Sequence, residues 1–265
     1  MSKTISIKIF HQLYSPRSNS RKRENGRLLI VAGSEKYHGS LFYALKSASR
    51  VLGLIYVLST KENLRLVSKL KSQTASFIPV AKIDEVIVDA VLIGPGMGIS
   101  PRTRRLVKQV LESGQKAVLD ADALSILDEK LKEKLNPNNI LTPHHGEFER
   151  VFNLKPTAIN LKAMAKKYHC HIVLKGKEDL LADSKGNIVA NKTGNAGLAK
   201  GGSGDVLAGL MAAFFCKNDA FLSAQAAVLA VDLAGDELFK TRKHFYDSED
   251  LVEQLPLTLT KLFKK

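Results

Sequence analysis

The chain has only two cysteines, Cys170 and Cys216, and no tryptophan among its 265 residues. Two cysteines cannot build a disulfide framework or a four-cysteine zinc site, which excludes the disulfide-rich secreted class. The longest apolar run, residues 206–216, ends at Lys217 and falls short of the roughly 20 residues that a membrane helix needs. Residues 1–23 lack an uninterrupted apolar segment with a cleavage site. We therefore expect a cytoplasmic protein with no secretory signal and no membrane contact.

Aromatic residues are also scarce, at 6%, whereas the formal net charge is +14. Part of this charge lies at the two chain ends, and elsewhere lysines alternate with acidic residues as on a solvated helix face. Proteins that stack nucleic-acid bases interleave basic and aromatic residues, a pattern that this sequence lacks. Basic surface can instead attract an anionic small substrate or keep a protein soluble. A nucleic-acid-binding protein on a degenerate enzyme fold is therefore only the third functional hypothesis.

From Arg27 onward, short apolar segments alternate with segments of helical periodicity. The predicted strands lie within residues 27–33, 54–59, 88–98, 116–124, 139–147 and 171–183. The predicted helices lie within residues 40–53, 62–71, 101–114, 205–215, 220–239 and 248–254, with another ending near Tyr168. Such alternation predicts an α/β fold whose mainly parallel sheet is covered on both faces. We expect an irregular basic lead-in over residues 1–26 and a single domain over residues 27–265.

The unusual residues follow the predicted strands. Glycines, aspartates, a TPHHGE segment and a Lys-Gly pair occupy the strand ends, at Gly33, 94–98, Asp120, Asp122, 142–147, Lys175 and Gly176. Ligands of open α/β sheets bind outside the carboxyl ends of the strands. This clustering predicts where the functional site lies.

The segment GNAGLAKGGSGDVLAGLMAAFF, residues 194–215, places glycines directly before a helix. Backbone N–H groups of such a loop, together with the positive end of the helix, can bind an anion. The alternative is a flexible loop in which Asp205 only stabilises the helix start. Neither the Walker nor the Rossmann phosphate fingerprint fits, so any anion site here is of another kind.

Two further pairs of polar residues stay ambiguous from the residues alone. Asp120 and Asp122 face the same way if the strand continues through them, and then hold Mg²⁺ through water or orient a substrate; alternatively, Asp122 caps a helix. Adjacent histidines seldom reach one metal ion. We therefore expect His144 to bind substrate and His145 to lie in solvent, and the His-Cys-His segment at 169–171 to be local packing.

Five segments, in this order and at these spacings, resemble the ADP/ATP-dependent NAD(P)H-hydrate dehydratase family of the ribokinase-like superfamily. They are GPGMG (94–98), VLDADAL (118–124), LTPHHGEFERV (141–151), VLKGKEDLLAD (173–183) and TGNAGLAKGGSGDVLAGLMAAF (193–214). The resemblance extends from about Arg27 to about Pro256. It implies a ribokinase-like three-layer α/β/α fold with a mainly parallel central sheet.

The resemblance also implies a reaction. The family repairs hydrated NADH and NADPH (NADHX and NADPHX): ADP, or ATP, phosphorylates the hydroxyl of the S-hydrate, and phosphate then leaves. Phosphate is a good leaving group, whereas hydroxide is a poor one near neutral pH. The protein must therefore mainly position the reactants and screen charge. The phosphoryl chemistry implies Mg²⁺, although no protein ligand for it is predicted.

Carried over by motif, Asp205 is the catalytic base and contacts the substrate hydroxyl, and neighbouring amide donors should keep it ionised. The predicted substrate-binding residues are Ser40, Gly98, His144 and Asp205. The predicted nucleotide-binding residues are Lys175, Gly176, Lys177, Glu178, Asp179, Gly202 and Gly204. No metal-ligating side chain is predicted.

Several positions depart from the family pattern. Ser40 replaces the usual alanine, Asp179 stands where many members have threonine, and Lys200 replaces a threonine beside the anion site. Lys200 is expected either to tighten nucleotide binding or to point to solvent. The family is often fused behind an epimerase domain, which cannot fit within residues 1–26; we expect a separate NAD(P)H-hydrate epimerase as functional partner. The resemblance further implies a homo-oligomer, a tetramer in many members. The alternative function is a ribokinase-like kinase that acts on a hydroxymethyl group of a small molecule.

Overall fold

Ten strands form a single sheet in the computed structural model, which describes residues 3–69 and 76–264. The strands are β1 (Lys3–Thr4), β2 (Arg27–Val31), β3 (Leu54–Leu58), β4 (Ile78–Pro79), β5 (Ala90–Ile93), β6 (Ala117–Leu119), β7 (Asn139–Leu141), β8 (His171–Leu174), β9 (Asp179–Ala182) and β10 (Ile188–Asn191). Their spatial order is β1-β10-β9-β8-β7-β6-β5-β2-β3-β4. All neighbours pair in parallel except β8 with β9 and β9 with β10. The predicted mainly parallel sheet is confirmed.

Helices connect the parallel strands. They are α1 (His38–Ala48), α2 (Lys61–Lys69), α3 (Pro101–Glu112), α4 (Asp122–Ser125), α5 (Glu129–Lys132), α6 (His145–Phe152), α7 (Ala158–Lys167), α8 (Ser203–Phe215), α9 (Ala220–Arg242) and α10 (Ser248–Leu262). Short 3₁₀ helices cover Ile7–Gln12, Ile83–Glu85 and Ala196–Leu198. Within the described parts of the chain, no helix is both long and apolar enough to cross a membrane.

Alternate side chains of the strands supply the two cores. On β2, Leu28 and Ile30 pack with α1, α8, α9 and α10 on one face of the sheet. Leu29 and Val31 pack with α3, α4, α6 and α7 on the other face. All four β2 side chains are almost fully buried, because successive residues of a strand point to opposite faces. The result is the expected three-layer α/β/α arrangement.

Helices α1 and α8 cross in backbone contact. Gly209 of α8 lies so close to α1 that an added Cβ would be 2.4 Å from the carbonyl oxygen of Ala44. Near the same crossing, the Ser47 hydroxyl donates to the Val206 carbonyl oxygen at 2.7 Å. A glycine is required here because any side chain would separate the two helices. The crossing brings the N-terminal ends of α1 and α8 together at the carboxyl edge of the sheet.

The lead-in is more regular than the sequence predicts. β1 pairs in parallel with β10, and a 3₁₀ helix follows over Ile7–Gln12. Phe10 is buried and its ring meets that of Phe263 edge-on, with centroids 5.6 Å apart. The prediction of an irregular segment is therefore wrong for these residues. Apolar side chains among the basic ones attach the segment to the edge of the sheet and to α10.

Other differences concern element bounds. β4 and β10 are short strands that the sequence analysis does not predict. The helix predicted over 248–254 continues to Leu262 with Pro256 inside it. The helix predicted over 62–71 is present to Lys69, and its last two residues lie outside the described part of the chain.

Candidate active site

The glycine loop enters α8 through a backbone turn that only glycine fits well. Gly202 precedes the helix with φ +96°, and an added Cβ would lie 2.7 Å from ring atoms of Tyr43. The Ser203 hydroxyl donates to the Leu198 carbonyl oxygen at 2.7 Å and fixes the loop to the helix start. The first backbone N–H groups of α8 have no partners within the helix, so this end can bind an anion. Asp205 lies in this first turn.

Asp205 carries a strongly perturbed carboxyl group. Burial, followed by the nearby charge of Asp120, raises its pKa to about 7, against opposing contributions from a Ser40 hydrogen bond and the charge of Lys175. The expectation that amide donors keep Asp205 ionised is therefore wrong. The tertiary surroundings outweigh the local backbone, because burial in a low dielectric disfavours the charged form. A base with a pKa near 7 is well matched to neutral pH.

Lys175 and Asp120 form an ion pair beside Asp205. The Lys175 Nζ lies 2.9 Å from Asp120 Oδ1, and Asp120 is 2% exposed. Burial alone would lower the pKa of Lys175, but Asp120, Glu147 and then Asp205 outweigh it and raise that pKa. An added Cβ on Gly204 would be 3.6 Å from the Lys175 Nζ. The ammonium group therefore lies at the N-terminal end of α8, where it adds a full charge to the helix dipole.

Asp120 and Asp122 do not face the same way. β6 ends at Leu119, and Ala121 turns the chain with φ +50°. The carboxylate of Asp120 turns inward and also accepts from the Thr142 hydroxyl at 2.7 Å. Asp122 begins α4, and its Oδ2 accepts from the Gly98 N–H at 2.8 Å rather than capping the helix. The two residues therefore make different contacts, although the charges of both raise the pKa of Asp205.

The substrate-side residues lie around this pair. Ser40 is the third residue of α1, and its hydroxyl donates to the carboxylate of Asp205. Gly98 has φ +75° and no atom within 4 Å of its Cβ position, so its face toward solvent is open. His144 caps α6: its Nδ1 accepts from the N–H groups of Gly146 and Glu147. The Nε2 of this exposed side chain lies 3.6 Å from Glu147 Oε1.

Backbone pairing joins the histidine segment to the lysine segment. His144 forms an isolated parallel bridge with Lys175. His145 is exposed, as predicted, and its Nε2 would be 2.9 Å from a Cβ on Gly176. The predicted substrate and nucleotide segments are therefore adjacent.

The predicted nucleotide-binding residues in the turn after β8 differ in exposure. Gly176, Lys177 and Glu178 are exposed. Asp179 is only 8% exposed, and its Oδ1 accepts from the Gly176 N–H at 2.9 Å. Its carboxyl group also bonds to Asp232 of α9. Whereas Lys175 points to the site, the Asp179 side chain is thus occupied inside the protein.

Lys200 is exposed, but its ammonium group is bonded to the protein. Its Nζ donates to the carbonyl oxygens of His244 and Tyr246, and it lies 5.7 Å from the centroid of the Tyr246 ring. The lysine joins the glycine loop to the connection between α9 and α10. These bonds give Lys200 a structural role, at a loop position where the family pattern has threonine.

The sequence analysis missed three residues close to the site. Tyr43 packs against Gly202, and Asp232 and Asp236 of α9 contact the loop after β10. The available signal was two carboxylates spaced four residues apart in an otherwise apolar helix, since residues at this spacing share one face.

Two other features lie apart from the site. A cavity of about 490 Å³ lies where β6, β8 and α9 begin, at the edge of the sheet away from the site. Lys116, His171 and Asp219 are among the residues that line it. Cys170 and His171 are buried at the start of β8, in line with the local packing predicted for 169–171, whereas His169 is exposed. Among residues 3–69 and 76–264, no group of three or more His, Cys, Asp or Glu is placed to hold a metal ion.

Comparisons with known proteins agree with the motifs. The family described as NAD(P)H-hydrate dehydratase matches residues 28–257. An ADP-dependent (S)-NAD(P)H-hydrate dehydratase of Nitrosopumilus maritimus is 33% identical, with 95% of this chain and 94% of that protein covered. A bifunctional NAD(P)H-hydrate repair enzyme Nnr of Methanocaldococcus jannaschii is 36% identical, with 93% of this chain and 50% of that protein covered. The chain thus spans about half the length of such bifunctional relatives.

A solved structure agrees as well. It is that of an ADP/ATP-dependent NAD(P)H-hydrate dehydratase from Bacillus subtilis co-crystallized with ATP/Mg²⁺, at a TM-score of 0.87 and 25% identity. The match covers 98% of this chain and 99% of that one, which confirms the expected fold class. The chain belongs to the NAD(P)H-hydrate dehydratase family.

Proposed function

We propose that the protein is an ADP-dependent (S)-NAD(P)H-hydrate dehydratase. The substrate hydroxyl attacks the terminal phosphoryl group of ADP, or of ATP, and AMP, or ADP, leaves. The new phosphate ester then loses phosphate and a ring proton, which restores the double bond of NADH or NADPH. The observation that carries the proposal is a carboxyl group with a pKa of about 7, Asp205, held beside a lysine at a helix N-terminus.

Asp205 is the proposed base. Ser40 donates to its carboxylate and orients it, while Lys175 keeps part of the population ionised near neutral pH. A base must reach the hydroxyl within hydrogen-bond distance. Placement in the first turn of α8 puts the carboxylate next to the phosphoryl group that the hydroxyl attacks. Catalysis then depends mainly on position and charge, as phosphoryl transfer requires.

The nucleotide is proposed to bind across the N-terminal end of α8. Gly202 and Gly204 leave the backbone accessible to phosphate, and Lys175 neutralises developing charge. Asp120 holds Lys175 in place through the ion pair of 2.9 Å. The exposed turn 176–178 is proposed to contact the rest of the nucleotide.

The hydrated dinucleotide is proposed to bind on the other side of Asp205. Ser40 contacts it near the reacting hydroxyl, Gly98 offers an open backbone surface, and the Nε2 of His144 donates or accepts a hydrogen bond. Mg²⁺, when bound with the nucleotide, would screen the phosphate charge. Since the described residues form no metal-binding cluster, its ligands are expected to be mostly phosphate oxygens and water.

The remaining proposals concern the setting of the enzyme. We propose one dehydratase domain over residues 27–265, supported by the single sheet that joins β2 to β10 and by the packing of α8, α9 and α10 against it. A cytoplasmic location is consistent with two buried free thiols. A NAD(P)H-hydrate epimerase is the proposed functional partner, and a homo-oligomer, a tetramer in many family members, is the proposed assembly.

The test is an assay with hydrated NADH and either ADP or ATP. We expect NADH absorbance to appear together with free phosphate, and faster turnover with ADP than with ATP. The Asp205→Asn variant should bind ADP without turnover, whereas Asp183→Asn, in an exposed turn, serves as the control that stays active. No turnover with either nucleotide contradicts the proposal. A stable phosphate ester of a hydroxymethyl compound would instead identify a small-molecule kinase.

A further inference from the structure

Two carboxyl groups meet between the sheet and α9. Asp179 begins β9 and pairs in register with Asn191, the last residue of β10. The Asp179 carboxyl group bonds to that of Asp232, and the Asn191 Nδ2 donates to Asp232 Oδ2 at 2.6 Å. The Asp179 carboxyl group also bonds to the Asn191 side chain, and its Oδ1 accepts from the Gly176 N–H at 2.9 Å. The pair is therefore bonded directly to the turn that follows Lys175.

The same face of α9 holds the glycine loop. Gly194 lies against Asp232, since an added Cβ would be 2.9 Å from Asp232 Oδ2. One turn along α9, Asp236 accepts from the Gly194 N–H and from the Asn195 Nδ2, both at 3.0 Å. Asn195 in turn accepts from the Tyr246 hydroxyl at 2.9 Å. The loop that leads to Gly202 is thus held by the helix that carries Asp232.

A hydrogen bond between two carboxyl groups requires that one of them keep its proton, because two adjacent carboxylates repel each other. Burial raises the pKa of Asp179, and burial together with the charge of Asp179 raises the pKa of Asp232. Lys175 favours the ionised form of Asp179, whereas Asp236 opposes the ionisation of Asp232.

The remaining charged or titratable groups around the pair are accounted for. Tyr246 is held by Asn195. Glu178 lies 3.7 Å from the ammonium group of Lys192 on the exposed side of the turn. Neither interaction supplies a cation to the Asp179–Asp232 contact itself, which consists of the bond between the two carboxyl groups and the bonds of both to Asn191.

We propose that Asp179 and Asp232 share one proton and thereby position the two segments assigned to the nucleotide, the 175–178 turn and the 192–202 loop, relative to each other. The inference rests on the proposed function only for the identity of the ligand. Both residues are positioning residues and do not touch the nucleotide. Loss of the shared proton would move the 175–178 turn and the 192–202 loop apart. Nucleotide binding would then weaken although every residue that contacts the nucleotide is still present.

The experiment measures the Kd of ADP by calorimetry at about pH 7.5 and about pH 10, on either side of the transition of the pair. For the natural protein we expect binding about tenfold weaker at the higher pH, which corresponds to about 1.4 kcal/mol. Asp232→Asn replaces the shared proton with an amide donor that does not titrate, so its Kd ratio should fall to about twofold. Asp183→Asn, remote from the pair, should keep the tenfold ratio. Lysine titration affects all three proteins equally.

Equal ratios in the natural protein and Asp232→Asn overturn the proposal. Carbon-13 NMR of the aspartate carboxyl groups supplies a measurement that needs no ligand. A carboxyl titration on the alkaline side of neutrality that disappears in Asp232→Asn supports proton sharing, whereas ordinary acidic titrations for both residues overturn it. Failure of the natural protein to bind ADP at either pH refutes the proposed function, and the NMR result then still decides the proton sharing.

Discussion

The Asp205→Asn substitution keeps the size of the side chain and removes its charge. It should therefore change both the turnover of the enzyme and the pH dependence of its unfolding free energy. The ordinary carboxyl pKa of 3.8 rises to about 7 in the folded protein. Below about pH 4, Asp205 is protonated in both the folded and the unfolded states, so the natural protein and Asp205→Asn should have equal unfolding free energies. Between about pH 4 and about pH 7, the unfolded chain ionises at this residue while the folded protein keeps the proton, so the natural protein loses stability that the variant keeps. Above about pH 7 the difference levels off, because both states are ionised.

The magnitude follows from the shift of about 3 pKa units. At about 1.4 kcal/mol per unit, the full penalty is about 4 kcal/mol. Asp205 is only half-buried, and water screens part of this penalty. We therefore expect Asp205→Asn to be about 2 kcal/mol more stable than the natural protein at about pH 8, while its turnover falls by about 1,000-fold through loss of the base.

The assay is urea unfolding of both proteins at several pH values between about 4 and about 8, the window set by the two pKa values of Asp205. Other carboxyl groups titrate in both proteins and cancel in the difference. Asp84→Asn, at an exposed position between β4 and β5, is the matched control and should follow the natural protein throughout. A stability difference that does not change with pH, or that favours the natural protein at pH 8, refutes the reasoning about Asp205.

Three further predictions use other measurements. The kcat/KM of the natural protein should rise with pH and level off above about 7, as the ionised form of Asp205 accumulates; a profile that falls over this range would assign the base elsewhere. Lys175→Met should weaken ADP binding more than about tenfold and lower the unfolding free energy by about 3 kcal/mol, because Asp120 is left buried without its cation; calorimetry and urea unfolding check both, and unchanged values argue against the ion pair. Lys200→Met should lower the unfolding free energy by about 1 kcal/mol with the Kd of ADP within about twofold; weaker ADP binding without destabilisation would place Lys200 at the nucleotide after all.

The layers of the fold and the position of the site follow from local patterns. Apolar runs such as 27–33 predict buried parallel strands, and the polar residues after them predict the carboxyl edge as the site. The glycines before Asp205 predict the helix start. These features depend on neighbours in the sequence, so periodicity and turn residues suffice to find them.

What the sequence did not reveal depends on distant side chains. Asp179 and Asp232 meet only because β9 packs under α9, and no periodicity relates them. The raised pKa of Asp205 depends on burial and on Asp120, neither of which the glycine loop itself contains. Lys200 turns to two carbonyl oxygens from another connection rather than to the anion site. Each case requires the tertiary arrangement.

The contact between Gly209 and Ala44 gives the site a mechanical property. Gly209 lies about one helical turn beyond Asp205, and α1 carries Ser40, the hydroxyl donor to that carboxylate. The close contact of the two backbones therefore fixes how far α1, which carries the donor, lies from α8, which carries the base. A methyl group at position 209, 2.4 Å from the Ala44 oxygen, would force the helices apart by about 1 Å. A displacement of that size reduces catalysis by about 100-fold, so a residue that contacts no ligand sets the distance for proton transfer.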